Sequence, residues 1–383
     1  MAGELKNLLI ISFSDLAVDA RVNRQIRLLR DHYRVTAVGY ANPGVAGIEF
    51  IGIARGARSA TGKAVAAAML KAGLYERFYW SSTSVTAAQR ALLGRSFDLI
   101  LANDVNTLPL ALRLRAQHGV VFDAHEYSPR EMEDDWKWRF FFQRYIGYLC
   151  EKYIPRVTGM ITVCEGIAEE YERNFGVNAI VVHNVPNLTA LSPRPSSAGA
   201  VRLVHHGGAT RSRQLENMIA MMAYLHRGFT LDFYLVPTDV RYLHKLRRVA
   251  AGDARIRFLA PVPMAQLPQV MNSYDVGLYI LEPNSFNNMH ALPNKFFDFI
   301  QGRIAVAIGP SPEMARLVQR YDCGLVAKDF TPHSMAAELS GLTPARLDHY
   351  KQRADAAAQI LCYENASQAL LQVLWAATGA VRG

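Results

Sequence analysis

The sequence predicts an α/β protein made of two domains, each built around a parallel sheet. The chain has 383 residues, which exceeds what one hydrophobic core usually organises and suits two domains. In both halves of the chain, short continuous apolar segments alternate with longer segments of helical character. Continuous rather than alternating apolar strands are typical of parallel sheets that helices cover on both faces.

The first half contains six segments that we predict as strands, at residues 8–14, 34–40, 98–102, 120–124, 160–163 and 180–183. Helices are expected between them, including one from about residue 22 to residue 31 and one that begins near residue 108. Strands that alternate with helices in this way indicate βαβ units and therefore a parallel sheet.

A change of composition marks the boundary between the two halves. Residues 184–200 (NVPNLTALSPRPSSAGA) hold three prolines and several serines, which predicts a linker. Predicted strands then resume at 201–205, 231–236, 256–259, 276–280, 305–308 and 323–326, and a last amphipathic helix is expected at 365–377. Ligands of open α/β sheets bind beyond the carboxyl ends of the strands, so the cleft between the domains is the expected site.

The composition and net charge of the chain limit the kinds of binding partner that can be expected. Half of the residues are hydrophobic and a fifth are charged, as in globular proteins. The net charge of +9 favours an anionic partner such as nucleotide phosphates or an acidic membrane surface. The basic residues are scattered, so no nucleic acid is expected as a partner.

The four cysteines are far apart, which predicts buried free thiols in a reducing compartment and no zinc site. No stretch approaches the ~18 apolar residues of a membrane span. The sequence is therefore expected to be cytoplasmic, with a peripheral contact at the inner face of the membrane.

Residues 288–302 (NMHALPNKFFDFIQG) combine a polar loop with an aromatic helix. Pro293 suits a helix start, where free backbone N–H groups favour an anion, and Lys295 strengthens that preference. Asp298 follows one turn later. Together, the Lys295 cation and the Asp298 carboxylate could bind a phosphate and an adjacent sugar diol. The alternative is an ordinary capped helix with a solvated ion pair.

A second candidate phosphate site is the HHGG sequence at residues 205–208. Gly207 and Gly208 stand between a predicted strand and a helix expected to begin near Arg213, so the backbone could approach a phosphate closely. Arg211 and Arg213 add positive charge. The pattern is not the GxGxxG of dinucleotide sites, and the alternative is a simple strand-to-helix turn with exposed arginines.

Polar residues also end the strands of the first half. His125 could donate to a hydroxyl or transfer a proton, with Glu126 orienting it, although a histidine at a strand end is more often structural. Asn103 and Asp104 end the preceding predicted strand.

The first loop adds a third group at the same expected sheet edge. Asp15, Asp19 and Arg21 either line an acceptor pocket or cap the first helix.

The segment 136–153 (WKWRFFFQRYIGYLCEKY) mixes aromatic and basic residues. Such a face suits a membrane interface or a lipid-linked ligand. The alternative is a helix whose aromatics are buried at helical spacing. No Asp-x-Asp occurs in the chain, which argues against a metal-dependent sugar transferase.

Taken as a set, these motifs resemble the retaining glycosyltransferases of family 4, which have the GT-B fold. The resemblance extends over almost the whole chain and lies in these segments: DAHE (123–126), ITVCEGIAEEYERNFG (161–176), HNVPN (183–187), HHGG (205–208), RQLENMI (213–219), ALPNKFFDFIQG (291–302) and SPEMARLV (311–318) with Gly324.

The resemblance implies two Rossmann-like domains with an interdomain cleft: an acceptor domain at 1–187 and a nucleotide-sugar domain at 188–360. It also implies that a C-terminal helix at 361–383 crosses back to the first domain. A UDP- or GDP-linked sugar would be the donor, without a metal or other cofactor. The acceptor would be a saccharide or a lipid-linked molecule. The implied activity is a metal-independent, hexosyl-type transfer with retained configuration, in the synthesis of bacterial surface polysaccharide.

The resemblance also implies residue roles. Gly208, Arg213 and Lys295 would meet the diphosphate, Asp298 the ribose, and His125 the transferred sugar. Attack would occur at the front face, with the donor phosphate as base.

One departure from the family pattern concerns the donor sugar. The family's Glu-x7-Glu motif places a glutamate eight residues before Asp298, where this chain has His290. Backbone amides at Asn288 and Met289, or the Glu282 carboxylate, would then make the contacts to the donor sugar that the family's glutamate makes. Two alternatives stay open: a nucleotide-sugar epimerase of the same fold, and a catalytically silent transferase-like subunit.

Overall fold

The computed structural model describes residues 5–197 and 199–379. They form two compact units. Unit 1 comprises residues 5–183, Ser285–Asn287 and 367–379, and unit 2 comprises Asn184–Asn284 and Asn288–Ala366. The chain thus changes unit after His183 and again at Ser367. The corresponding domain limits predicted from the sequence were residues 187 and 360.

Unit 1 contains a sheet of seven parallel strands in the order β3-β2-β1-β4-β5-β6-β7. The strands are β1 (Asn7–Ile11), β2 (Arg34–Gly39), β3 (Glu49–Gly52), β4 (Leu99–Asn103), β5 (Val120–Ala124), β6 (Gly159–Thr162) and β7 (Ala179–Val181). Every residue of β4 and β5 is buried, as expected for central strands covered on both faces.

The helices of unit 1 are α1 (Ala20–Leu29), α2 (Ala60–Lys71), α3 (Tyr75–Trp80), α4 (Thr83–Ala91), α5 (Leu108–Arg113), α6 (Trp136–Phe141), α7 (Gln143–Tyr153) and α8 (Glu165–Phe175). Short 3-10 turns lie at Val105–Thr107, Ser128–Arg130 and Ile154–Arg156. Asp19 caps α1, because its carboxylate accepts from the Val22 amide.

Unit 2 contains a sheet of six parallel strands in the order β10-β9-β8-β11-β12-β13. The strands are β8 (Val201–Gly208), β9 (Phe229–Val236), β10 (Ile256–Leu259), β11 (Val276–Tyr279), β12 (Ala305–Ile308) and β13 (Gly324–Val326).

The remaining helices, in chain order, are α9 (Glu216–Met221), α10 (Val240–Ala250), α11 (Leu267–Met271), α12 (Phe286–Met289), α13 (Asn294–Gln301), α14 (Pro312–Tyr321), α15 (Pro332–Ser340), α16 (Pro344–Ile360) and α17 (Tyr363–Ala377). Further 3-10 turns lie at Arg211–Arg213, Met222–Tyr224 and Met264–Gln266. From Ser367 onward α17 belongs to unit 1, where Trp375 packs edge-on against His32.

Consecutive residues of β8 pack into different hydrophobic clusters on the two faces of the sheet in unit 2. Leu203 belongs to one hydrophobic cluster and Val204 to the other, because successive side chains point to opposite faces of a sheet. The second cluster holds α13 through Phe296, Phe297 and Phe299.

A glycine in β11 determines how closely α13 approaches the sheet. A Cβ atom at Gly277 would lie 2.2 Å from the ring of Phe299, so only glycine leaves room for this ring. The close packing fixes the helix that carries Lys295 and Asp298.

Candidate functional site

Unit 2 has a cavity of about 480 Å³ at the carboxyl ends of its strands. Its polar lining comes from the end of β8, the turn that follows, and the first turns of α13. The polar and charged residues are His206, Gly207, Arg213, Asn294, Lys295 and Asp298. The structure thus brings together two segments that the sequence singled out separately.

Gly207 is the point on which two cationic side chains converge. Its φ of +125° lies in the region that glycine adopts readily. A Cβ atom here would lie 2.9 Å from Lys295 Nζ and 3.3 Å from Arg213 Nη1. The absent side chain therefore leaves a space that is open to both positive groups.

The Lys295 ammonium is buried with only partial charge compensation from Asp298. The residue is 5% exposed, and among the described residues it makes no hydrogen bond or ion pair. Its nearest favourable contact is the ring of Tyr279, whose centroid lies 5.0 Å from Nζ. Burial and the Arg213 charge lower the pKa of Lys295 well below its usual value, and Asp298 opposes this only in part.

Arg213 likewise has no acceptor for its guanidinium within the part of the chain that the structure describes. It belongs to the turn Arg211–Arg213 at the end of β8. Two cations without partners around a bare backbone form a site prepared for an anion, because an anion would supply the missing charge and hydrogen-bond acceptors.

Asp298 lies one turn after Lys295 and borders the same cavity. Its Oδ2 atom is 3.4 Å from His206 Nε2. Burial raises the pKa of Asp298 to about 7 against the effect of Lys295. Burial, Lys295 and Arg213 lower the pKa of His206 to about 3, so the imidazole is neutral and leaves the carboxyl free to change its charge near neutral pH.

The cavity also has an apolar wall that the sequence reasoning missed. This wall is formed by Tyr234, Val236, Pro261, Val262, Met264, Leu267, Leu292 and Pro293. It combines the end of β9, the segment from Pro261 to the first residue of α11, and the two residues before α13. The only available signal was that these residues follow predicted strands, since no sequence pattern joins segments so far apart.

Other predicted donor residues lie outside this lining. Arg211 is paired with Asp239, with Nε 2.9 Å from Oδ2. Gly208 contacts Thr238 rather than the cations. The helix expected near Arg213 instead begins at Glu216 as α9, because Gln214 adopts a left-handed conformation with a φ of 43°.

Asn288 and Met289 at the end of α12, and His290 just after it, are not part of the cavity lining either. His290 Nδ1 lies 3.2 Å from Oε1 of Glu313, which is 1% exposed at the start of α14. Glu313 is thus the carboxylate that accompanies His290, and the sequence reasoning did not single it out.

Unit 1 holds a buried polar network around Asp123, at the end of β5. Arg21 donates to both carboxylate oxygens at 2.7 Å, and Gln25 donates to Oδ2. Burial opposes ionisation, but Arg21 and His125 outweigh it and lower the pKa of Asp123. Arg21 also donates to the Val182 carbonyl. Its hydrogen bonds therefore hold the Asp123 side chain in a fixed position.

His125 is held by the ends of β4 and β5. Nε2 lies 3.1 Å from Asn103 Oδ1 and Nδ1 lies 3.4 Å from Asp104 Oδ1. Burial disfavours the charged ring, but Asp104 and Asp123 raise the pKa of His125 to about 9. The ring is therefore an imidazolium at neutral pH and acts as a hydrogen-bond donor rather than a base.

Glu126 provides a second perturbed group next to this network. Burial, Glu131 and Asp104 raise its pKa to about 8. Among the described residues, no hydrogen bond joins its carboxyl to His125, and the orienting groups are instead Asn103, Asp104 and Asp123.

Asp15 and Asp19 line a second cavity, of about 650 Å³, in unit 1. Asp19 both caps α1 and accepts from Ser14 Oγ at 2.7 Å, while Asp15 lies 3.9 Å from Arg55. Asp19 thus caps α1, which is one of the two sequence alternatives, and it also borders a cavity.

Comparison with protein families gives a match over residues 25–190 to the family described as Glycosyltransferase Family 4. This segment contains Asp123, Gln25 and His125, whereas Arg21 lies before it. A comparison with curated proteins gives no match to this chain.

Solved structures of GT-B glycosyltransferases share the fold of this chain. Sucrose-phosphate synthase from Thermosynechococcus elongatus aligns with a TM-score of 0.70 and 14% identity, over 98% of this chain and 100% of that one. HepE of Anabaena, in complex with UDP-glucose, aligns with a TM-score of 0.68 and 13% identity, over 98% and 100%.

A third similar structure is WaaG, a glycosyltransferase involved in lipopolysaccharide biosynthesis. It aligns with a TM-score of 0.63 and 10% identity, over 96% of this chain and 99% of that one. At these identities the likeness establishes the fold, so the predicted pair of Rossmann-like domains is confirmed.

Two further findings concern residues 5–197 and 199–379 of the chain. No helix there is both long and apolar enough to cross a membrane. No group of three or more His, Cys, Asp or Glu side chains in the same residues could hold a metal ion.

Proposed function

We propose that this glycosyltransferase takes a sugar from a UDP- or GDP-linked donor and transfers it to a saccharide or lipid-linked acceptor, with retention of configuration. One observation carries the donor assignment: Lys295 is buried, has no hydrogen bond or ion pair among the described residues, and converges with Arg213 on Gly207. A diphosphate supplies both the negative charge and the acceptor atoms that these groups lack.

The same two cations serve the chemical step. When the bond from the anomeric carbon to the donor phosphate breaks, negative charge develops on the departing diphosphate. Lys295 and Arg213, fixed before the substrate arrives, stabilise that charge without reorganisation. They take the place of a divalent cation, which supports a metal-independent reaction.

Asp298 and the apolar wall extend the site toward the nucleoside. The ionised carboxylate of Asp298 accepts hydrogen bonds from the ribose hydroxyls, one turn of α13 away from the phosphate contact at Lys295. The apolar wall then offers the base a surface for stacking and burial.

Retention follows in this proposal from attack on the face that the diphosphate leaves. The acceptor oxygen forms its bond to the anomeric carbon while the carbon–phosphate oxygen bond breaks. The proton of the acceptor hydroxyl passes to the departing phosphate oxygen. The His125 imidazolium donates to the transferred sugar and, being protonated, does not take up that proton.

The acceptor and the biological setting complete the proposal. Unit 1 binds the acceptor beside Asp15 and Asp19, in the cytoplasm and against the inner face of the membrane. Synthesis of bacterial surface polysaccharide is the process that suits an acceptor of this kind.

The test is release of UDP or GDP from mixed nucleotide sugars, with and without a membrane extract that supplies acceptor. A transferase releases nucleotide faster when acceptor is present. Lys295→Ala should abolish turnover with the fold intact, as circular dichroism would show. Interconversion of free nucleotide sugars, or no turnover with any donor, would overturn the proposal, and a product of inverted configuration would overturn retention.

A further inference from the structure

Helix α6 exposes aromatic side chains that an ordinary water-facing helix would not carry. Four of its six residues are aromatic, and none of the six is buried. Trp136 is 63% exposed and Phe140 is 60% exposed. Large apolar groups gathered at a surface mark an interaction site, so α6 has the composition of a binding face.

Basic groups surround these aromatics. Lys71 of α2 lies 5.1 Å from the ring centroid of Phe140, and Lys137 lies 5.8 Å from that of Trp136. Arg139 is also exposed. We name Lys71, Trp136, Lys137, Arg139 and Phe140 the α6 surface. Asp134 and Asp135 precede it, and Asp135 is engaged as the α6 cap.

A cavity of about 450 Å³ adjoins the α6 surface. Trp138 of α6 lines it, together with Phe142 at the end of that helix. Phe142 is itself 38% exposed, so it belongs both to the cavity wall and to the protein surface. Phe78 and Tyr145 form the aromatic wall within, with ring centroids 4.9 Å apart.

Arg58 provides positive charge in this cavity. Its guanidinium lies 4.8 Å from the Phe78 ring centroid and donates to Ser81 Oγ at 3.2 Å. Among the described residues it has no carboxylate partner. Glu131, which also lines the cavity, is not a strong competitor, because burial and Asp104 raise the pKa of its carboxyl.

The far side of this cavity leads to the predicted acceptor residues. Phe13, Tyr40 and Ser84 line both this cavity and the one that contains Asp15 and Asp19. An exposed aromatic and basic surface, an aromatic cavity with one cation, and a polar cavity thus follow each other within unit 1.

We propose that this series binds a lipid-linked saccharide phosphate at an anionic membrane surface. The α6 surface inserts its aromatic rings at the level of the lipid headgroups, where Trp and basic residues are favoured. The lipid stem passes the aromatic cavity, Arg58 contacts the phosphate, and the saccharide extends toward Asp15 and Asp19. This inference rests on the proposed transferase function and selects the lipid-linked class of acceptor.

The first test is flotation of the full chain with vesicles of phosphatidylcholine, with or without phosphatidylglycerol. We expect binding only to the anionic vesicles, and the double variant Trp136→Ala/Phe140→Ala should weaken it by about tenfold or more. Leu93→Ala is the matched control, because Leu93 is 81% exposed in unit 1 but lies outside the α6 surface. Equal binding by the double variant would overturn the proposal.

The second test concerns the cavity and uses decyl phosphate and decanol as probes in calorimetric titrations. Arg58→Gln should weaken decyl phosphate binding by about tenfold, the effect of losing a hydrogen bond to a charged group, and leave decanol binding unchanged. Equal affinity of the wild-type chain for both probes would overturn the assignment of Arg58.

Two controls separate this inference from the proposed function. UDP and GDP binding measures the donor site alone, and Arg58→Gln should leave it unchanged. If the chain binds vesicles but no nucleotide, the transferase proposal fails and membrane docking stands. If it binds native membranes but neither pure-lipid vesicles nor protease-treated membranes, the α6 surface docks a protein and the inference is wrong.

Discussion

Replacing Lys295 by methionine should stabilise the protein and at the same time weaken its binding of nucleotide diphosphates. Lys295 is 5% exposed, and within the described residues its ammonium has no hydrogen bond or ion pair. A buried polar group without a partner costs about 1–3 kcal/mol, and methionine fills a similar volume without that cost. The free energy of unfolding should therefore rise by about 1–3 kcal/mol, and Tm by about 2–10 °C for a domain of this size.

The same substitution removes one charge-assisted contact to the diphosphate. Such a hydrogen bond contributes about 1.5–3 kcal/mol, so Kd for UDP or GDP should rise by about 10- to 150-fold. Calorimetric titration gives the affinity, and differential scanning calorimetry gives Tm. A gain in stability joined to a loss of binding is the pattern expected where a strained group serves a ligand.

The chain supplies a matched control in Lys351, a second buried lysine of unit 2. Its Nζ lies 2.6 Å from Asp275 Oδ1. Lys351→Met should destabilise the protein by about 3 kcal/mol, at the low end for a broken buried pair because Arg202 still contacts Asp275. If Lys295→Met is also destabilising and leaves UDP and GDP affinity unchanged, the reasoning about Lys295 is refuted.

Three further outcomes are expected. Gly207→Ala should weaken UDP binding by about tenfold or more, because the φ of +125° at this position strains alanine and the added Cβ would press on Lys295. The control Gly208→Ala should have a small effect on UDP binding. Equal losses of affinity in the two variants, measured by calorimetric titration, would contradict this prediction. UDP affinity should fall by about tenfold between pH 8 and pH 6, because the ionised fraction of Asp298 falls as the pH drops through its pKa of about 7; the same slope in Asp298→Asn would exclude this cause. Arg21→Met should destabilise the protein by about 3–5 kcal/mol in urea titrations, because it removes the cation from buried Asp123, and a loss under 1 kcal/mol would contradict that role.

Strands that are buried on both faces could be predicted from the sequence with accurate limits. The apolar segments 120–124 and 305–308 coincide with β5 and β12, every residue of which is buried. The edge strand Glu49–Gly52 was missed, because its residues are only half-buried or exposed and therefore lack a continuous apolar pattern.

The segment 136–153 shows what helical spacing leaves undecided. It forms two helices, α6 and α7, that meet at Phe142. The expectation of buried aromatics is right for Tyr145 and Tyr153 of α7 and wrong for Trp136 and Phe140 of α6. Periodicity defines a face of a helix, but tertiary packing decides whether that face is covered.

The part of the candidate donor site that comes from one short segment of the chain could be predicted from the sequence. Lys295 and Asp298 are one turn apart on α13, and helix geometry alone brings them to neighbouring positions. The convergence of Arg213 on Gly207, the apolar wall and the cavity beside Arg58 each depend on loops from several strands, and no local pattern records such contacts.

The most direct measurement is a crystal structure of the chain with UDP, and separately with GDP. We expect density for the diphosphate of one nucleotide within hydrogen-bond distance of Lys295 Nζ and the Arg213 guanidinium, over the bare backbone of Gly207, with the ribose at Asp298. A nucleotide bound elsewhere, or an empty cavity at saturating concentrations of both, would contradict the assignment of this cavity as the donor site.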